Sequence, residues 1–110
     1  MILNNSYPRQ ISMKSVHIGD IWLAEYDYTE GGNYGKIRPV LITDFDDENE
    51  LITIRRITSK NKGIELPFRM GKKRIKSYLT SDYKKVPRYY LIRRVKSYEE
   101  IRKYKLNEIK

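Results

Sequence analysis

Ile37-Arg38-Pro39-Val40-Leu41-Ile42-Thr43-Asp44, Phe45-Asp46-Asp47-Glu48-Asn49-Glu50 and Leu51-Ile52-Thr53-Ile54-Arg55-Arg56-Ile57 are the consecutive segments that decide the fold. The first and third are rich in β-branched and apolar residues, which fit a pleated, half-buried surface. The acidic segment between them is too short for anything but a turn. Two such runs on a short turn predict an antiparallel hairpin. Pro39 lacks a ladder donor, so it belongs near the strand start or at an edge.

Upstream, Gly19-Asp20 reads as a turn into a strand over residues 21–28. One parity carries Trp22, Ala24, Tyr26 and Tyr28; the other passes from Ile21 and Leu23 to Glu25 and Asp27. That alternation predicts a strand with one buried face. Residues 29–36 hold Gly31, Gly32 and Gly35 and predict a loop. The loop does not match the Walker pattern, and no helical pattern follows it, so a nucleotide-binding P-loop is not expected. Residues 1–17 lack a clear period and read as an N-terminal arm; residues 18–110 read as one domain.

Downstream, Ile64–Phe68 suggests a short edge strand, Met70–Arg74 a basic turn and Ile75–Thr80 a further strand. Val86–Val95 is ambiguous between strand and short helix. Ser97-Tyr98-Glu99-Glu100 is a capping box, with Tyr98, Ile101 and Tyr104 on one face beyond it. It predicts a C-terminal helix packed on the β-structure, with Glu99 and Lys103 as a supporting pair. The fold class expected from the residues is therefore mainly β, with short helices.

The chain has 110 residues, no cysteine and a formal net charge of +9. Absence of cysteine excludes a disulfide scaffold, a thiolate metal site and a cysteine nucleophile. There is no signal-peptide pattern and no apolar run long enough to span a bilayer, so the expected location is cytoplasmic. The charge is divided unevenly. Residues 1–50 hold four Lys/Arg against nine Asp/Glu, and residues 51–110 hold nineteen against five. A solvated basic surface is one explanation. A polyanionic partner is the other, favoured by the arginines and by tyrosines interleaved among them, which suit unstacked RNA bases.

The chemistry available is narrow. His17 is the single histidine, and nothing near it supports a catalytic triad. The cluster Asp46, Asp47, Glu48 and Glu50 sits in the hairpin turn without a histidine, so no metal and no cofactor is expected. What remains is Arg, Lys, Ser, Thr and Tyr. RNA permits reaction with these alone, because its 2′-OH is a built-in nucleophile. The protein must orient that group and stabilise charge on phosphorus.

Gly19-Asp20-Ile21-Trp22, the glycine-rich loop, Lys36-Ile37-Arg38-Pro39-Val40-Leu41-Ile42 and Ile57-Thr58-Ser59, in that order, resemble the MazF/PemK family of toxin endoribonucleases. The resemblance covers residues 18–60, with weaker likeness over 76–101. It implies a compact SH3-like β-barrel with short helices, and a homodimer. It implies metal-independent, sequence-specific cleavage of single-stranded RNA to 2′,3′-cyclic phosphate and 5′-OH ends. It also implies a cognate antitoxin whose acidic segment occupies the RNA groove. The family's catalytic Arg and Thr match Arg38 and Thr58. Arg38 would bind phosphate and take part in proton transfer, and Thr58 would donate a hydrogen bond to the phosphorane. Gly31, Gly32, Lys36, Arg56, Ser59 and Lys60 are the RNA-binding candidates. Arg55-Arg56 departs from the apolar or small residues that the family carries before I-T-S. On the residues alone, Arg38 and Thr58 converge if the hairpin register follows its short turn. Otherwise they are a surface cation and a turn residue. The alternative function is a non-catalytic RNA-binding or partner-binding module.

Overall fold

The computed structural model describes residues 12–26 and 36–109. Its core is an antiparallel sheet of six strands: β1 (Ile21–Tyr26), β2 (Lys36–Asp46), β3 (Leu51–Thr58), β4 (Ile64–Glu65), β5 (Tyr78–Pro87) and β6 (Leu91–Lys96). They lie in the order β4-β5-β3-β2-β1-β6. The fold is mainly β, as expected. The described strands form an open sheet, with β4 and β6 as its unjoined edges, rather than the closed barrel that the resemblance implies.

The hairpin is present, longer than its apolar run. β2 and β3 pair from Val40↔Arg56 to Asp46↔Leu51, with one irregularity between Ile42 and Asp44. Asp46 fixes the turn by accepting hydrogen bonds from the backbone and side-chain nitrogens of Asn49, at 3.2 and 2.9 Å. These bonds hold the Asp46 carboxyl below its ordinary pKa.

Alternation along the strands builds an apolar cluster on each face of the sheet. Trp22, Ala24, Tyr26, Val40, Ile42 and Ile54 belong to one cluster. Ile21, Leu41, Ile57 and Leu79 belong to the other, which the residues after β6 help to cover through Ile101 and Leu106. Val16, at the end of the segment read as an arm, is 2% exposed and packs in the first cluster.

Gly63 leads into β4 with φ +94°, and a Cβ there would sit 2.2 Å from the Leu79 carbonyl oxygen. Gly63→Ala should therefore destabilise the protein by more than ~1 kcal/mol. A thermal midpoint equal to that of the unmodified protein would contradict this.

The C-terminal capping box forms. Ser97 Oγ accepts from the Glu99 N–H at 3.0 Å, and the Ser97 N–H donates to Glu100 at 2.7 Å. The helix it opens, α1 (Tyr98–Ile101), is a single turn. It continues as 3₁₀ turns over Arg102–Tyr104 and Leu106–Glu108. The expected Glu99–Lys103 pair needs α-helical spacing, which ends before Lys103; the Lys103 ammonium lies over the Tyr104 ring instead. β5 begins later and runs further than the expected strand. Val86–Val95 resolves into the end of β5, a 3₁₀ turn over Arg88–Tyr90 and most of β6.

Candidate functional site

The β2–β3 ladder ends at Val40↔Arg56. Continuing that register by two residues sets Arg38 opposite Thr58. Pro39 lies just beyond the last β3 pair, opposite Leu23 of β1, where no β3 bond is lost. The hairpin thus carries Arg38 and Thr58 to the same end of the sheet.

A cavity of about 270 Å³ opens there. β2 contributes Arg38 and Pro39, β3 contributes Ile57 and Thr58, and Ser59 follows. Leu23 lines it from β1, and Arg93 and Val95 from β6. The segment between β4 and β5 closes the remaining side with Met70, Gly71, Ile75 and Ser77. Among the described residues, the lining therefore carries two guanidinium groups, three hydroxyls and an aliphatic surface, with no carboxylate. Such a surface favours an anion.

Arg38 is half-buried, with its Nε withdrawn from solvent. Thr58 is half-buried too, and its Oγ1 accepts the Lys60 N–H at 3.1 Å. That bond occupies a lone pair and leaves the hydroxyl proton to donate elsewhere.

The other expected site residues are more scattered. Ser59 is exposed and lines the cavity. Lys36 and Lys60 are exposed without lining it. Arg56 is turned to β5, where its Nη2 and Nε donate to Asp82 at 2.7 and 3.2 Å. Arg55 donates to the carbonyls of Thr80 and Ile109, and burial pushes its pKa below the ordinary arginine value. Gly31 and Gly32 lie outside the described residues. Arg93 and Ser77 carried no recognisable local signal in the sequence. They reach the cavity only through long-range packing.

His17 lies outside the cavity lining. Its backbone N–H donates to Asp20 at 2.9 Å, and its ring lies 4.9 Å from that of Tyr98. Among the described residues, no group of three or more His, Cys, Asp or Glu is placed to hold a metal ion. Among the same residues, no helix is long and apolar enough to cross a membrane.

No curated protein matches the chain. Residues 17–109 match the family described as PemK-like, MazF-like toxin of type II toxin-antitoxin system. That match spans most of the chain, so the protein belongs to the PemK-like, MazF-like toxins, a family whose members work within systems that include an antitoxin.

Proposed function

We propose that this toxin is a metal-independent endoribonuclease that cleaves single-stranded RNA at a short sequence. The observation that carries the reading is the meeting of Arg38 and Thr58 at one cavity whose described lining holds no carboxylate. In the proposed reaction the RNA 2′-oxygen forms a bond to the adjacent phosphorus and loses its proton. The bond from phosphorus to the 5′-oxygen breaks, and that oxygen gains a proton. The ends are a 2′,3′-cyclic phosphate and a 5′-OH. Arg38 holds the phosphoryl charge and takes part in proton transfer. Thr58 donates to a non-bridging oxygen, the role for which its bond with Lys60 leaves the hydroxyl proton available.

Ser59, Lys60 and Lys36 flank the RNA path in this reading. The same path takes an acidic segment of the antitoxin, in keeping with the basic second half of the chain. The active form is a cytoplasmic homodimer, built on the SH3-like arrangement that the family resemblance implies.

Incubation with long single-stranded RNA in EDTA, followed by mapping of the ends, tests the activity. New 5′-OH ends at a recurrent short sequence are expected. Intact RNA, bound with a steep salt dependence, would instead favour a non-catalytic binding module. Thr58→Val keeps the side-chain shape and removes the donor. It should lower kcat about 10²-fold, whereas Thr58→Ser should retain much of the activity. Equal rates for Thr58→Val and the unmodified protein would remove Thr58 from the mechanism.

A further inference from the structure

We infer that Arg93 is a phosphate-binding residue of the cleft, holding a backbone phosphate beside the reacting one. This rests on the endoribonuclease reading of the cavity, but on different residues and a different strand.

β6 is not a regular partner of β1. Its pairs run Ala24↔Leu91, Leu23↔Arg93, Trp22↔Arg94 and Ile21↔Lys96, with irregularities on both sides of the middle two. Regular pairing from Ala24↔Leu91 would place Ile92 opposite Leu23 and Arg93 opposite Trp22. The extra residue, Ile92, shifts this by one position. Arg93 then shares the face of Leu23 and lines the cavity. Arg94 falls beside Trp22, with its guanidinium 5.3 Å from the ring centroid. Bulges of this kind re-aim side chains beside functional sites.

The two neighbouring arginines consequently differ in employment. Arg94 Nε lies 3.4 Å from the buried Asp20 carboxylate, and its Nη2 donates to the Ser15 carbonyl. Among the described residues, no hydrogen bond or ion pair holds the Arg93 side chain, which is exposed at the cavity rim. Among the described residues, no carboxylate lines the cavity to neutralise it.

Position separates its role from that of Arg38. Arg93 is opposite Leu23, which is opposite Pro39, the neighbour of Arg38. Two strand spacings, roughly 10 Å, therefore separate the backbones from which the two guanidinium groups extend. Arg38 is half-buried and Arg93 exposed. A chain of phosphates entering the cleft meets Arg93 at the rim and Arg38 further in. A contact to a non-reacting phosphate is made equally before and during the reaction, so its loss raises KM and spares kcat.

The test compares the unmodified protein with Arg93→Gln, Arg93→Ala and Arg93→Lys. Binding is measured against labelled single-stranded 2′-fluoro RNA of mixed sequence, which cannot cyclise, across a range of salt. Cleavage is measured on ordinary RNA. Arg93→Gln should weaken binding about tenfold and reduce the salt slope by about 0.7. Arg93→Lys should keep the slope. In cleavage, Arg93→Gln should raise KM with kcat within about twofold. Thermal midpoints should be unchanged, and Arg93→Ala supplies a second neutral variant should Arg93→Gln fail to fold. An unchanged salt slope in the neutral variants, or a fall in kcat at constant KM, overturns the assignment. If the unmodified protein binds RNA without cleaving it, the endoribonuclease reading fails. The binding slopes still decide whether Arg93 meets phosphate.

Discussion

Arg38→Ala should lower RNA cleavage by about 10³-fold or more, while far-UV circular dichroism and the thermal midpoint stay close to those of the unmodified protein. The expected loss is large because charge accumulates on the phosphoryl oxygens during the reaction, and a half-buried guanidinium meets it with less screening than a surface cation would. The fold should survive because Arg38 lies beyond the last β2–β3 ladder pair and belongs to neither apolar cluster. Arg38→Lys is the sharper comparison. It keeps the charge but loses the planar fork, so a substantial defect in that variant would show that geometry matters as well as charge. Full activity of Arg38→Ala, measured in EDTA on an RNA that the unmodified protein cleaves, would sink the site assignment.

The second large effect concerns stability. Asp20 is fully buried, yet its carboxylate is surrounded by donors. It accepts from the His17 N–H at 2.9 Å, the Trp22 indole at 3.1 Å and the Tyr98 N–H at 2.7 Å. Arg94 Nε adds a charged contact at 3.4 Å. Its own backbone is bonded too, with the Asp20 carbonyl accepting the Ile42 N–H at 2.9 Å. One side chain thus ties the start of β1 to β6 and α1. Asp20→Ala strands these N–H donors in the interior, and should cost several kcal/mol, at about 1–3 kcal/mol for each donor left unsatisfied. That is a large part of the ~5–15 kcal/mol available to a domain. Asp20→Asn keeps the shape and one acceptor and should cost less. Urea denaturation measures both, and an Asp20→Ala midpoint near that of the unmodified protein would contradict the account.

These two residues differ in how visible they are in the sequence. The hairpin that delivers Arg38 and Thr58 is local. Its β-branched runs and short turn lie within one stretch, so both the pairing and the convergence could be anticipated. The capping box was legible for the same reason, being complete within Ser97–Glu100. The length of the helix beyond it was not. Tyr98, Ile101 and Tyr104 recur every three residues, a spacing that suits the 3₁₀ turns found there as well as an α-helix. Asp20 is legible as a turn residue and within the Gly19-Asp20-Ile21-Trp22 block, but not as a buried anchor, because Arg94 and Tyr98 lie 74 and 78 residues further on. Arg56, next to Ile57-Thr58-Ser59, reads as an RNA candidate; its partner Asp82 lies 26 residues further on, where no local pattern joins the two. Arg93 depends on a bulge in β6, and an irregularity of one residue leaves no periodic trace.

The pairing of β1 has a consequence for the newly made chain. β1 joins β2, which follows soon after it, and β6, which is translated last among the strands. Bringing such distant partners together closes a long loop, whereas the β2–β3 hairpin needs only its own turn. A nascent chain that has not reached Leu91 can therefore set Arg38 against Thr58 but lacks one wall of the cleft. It also leaves Asp20 without Arg94 and Tyr98. Arrival of β6 and α1 supplies Arg93 to the cleft and closes the contacts around Asp20 together. Closing the last wall of the cavity and burying Asp20 thus belong to one step, which follows the hairpin.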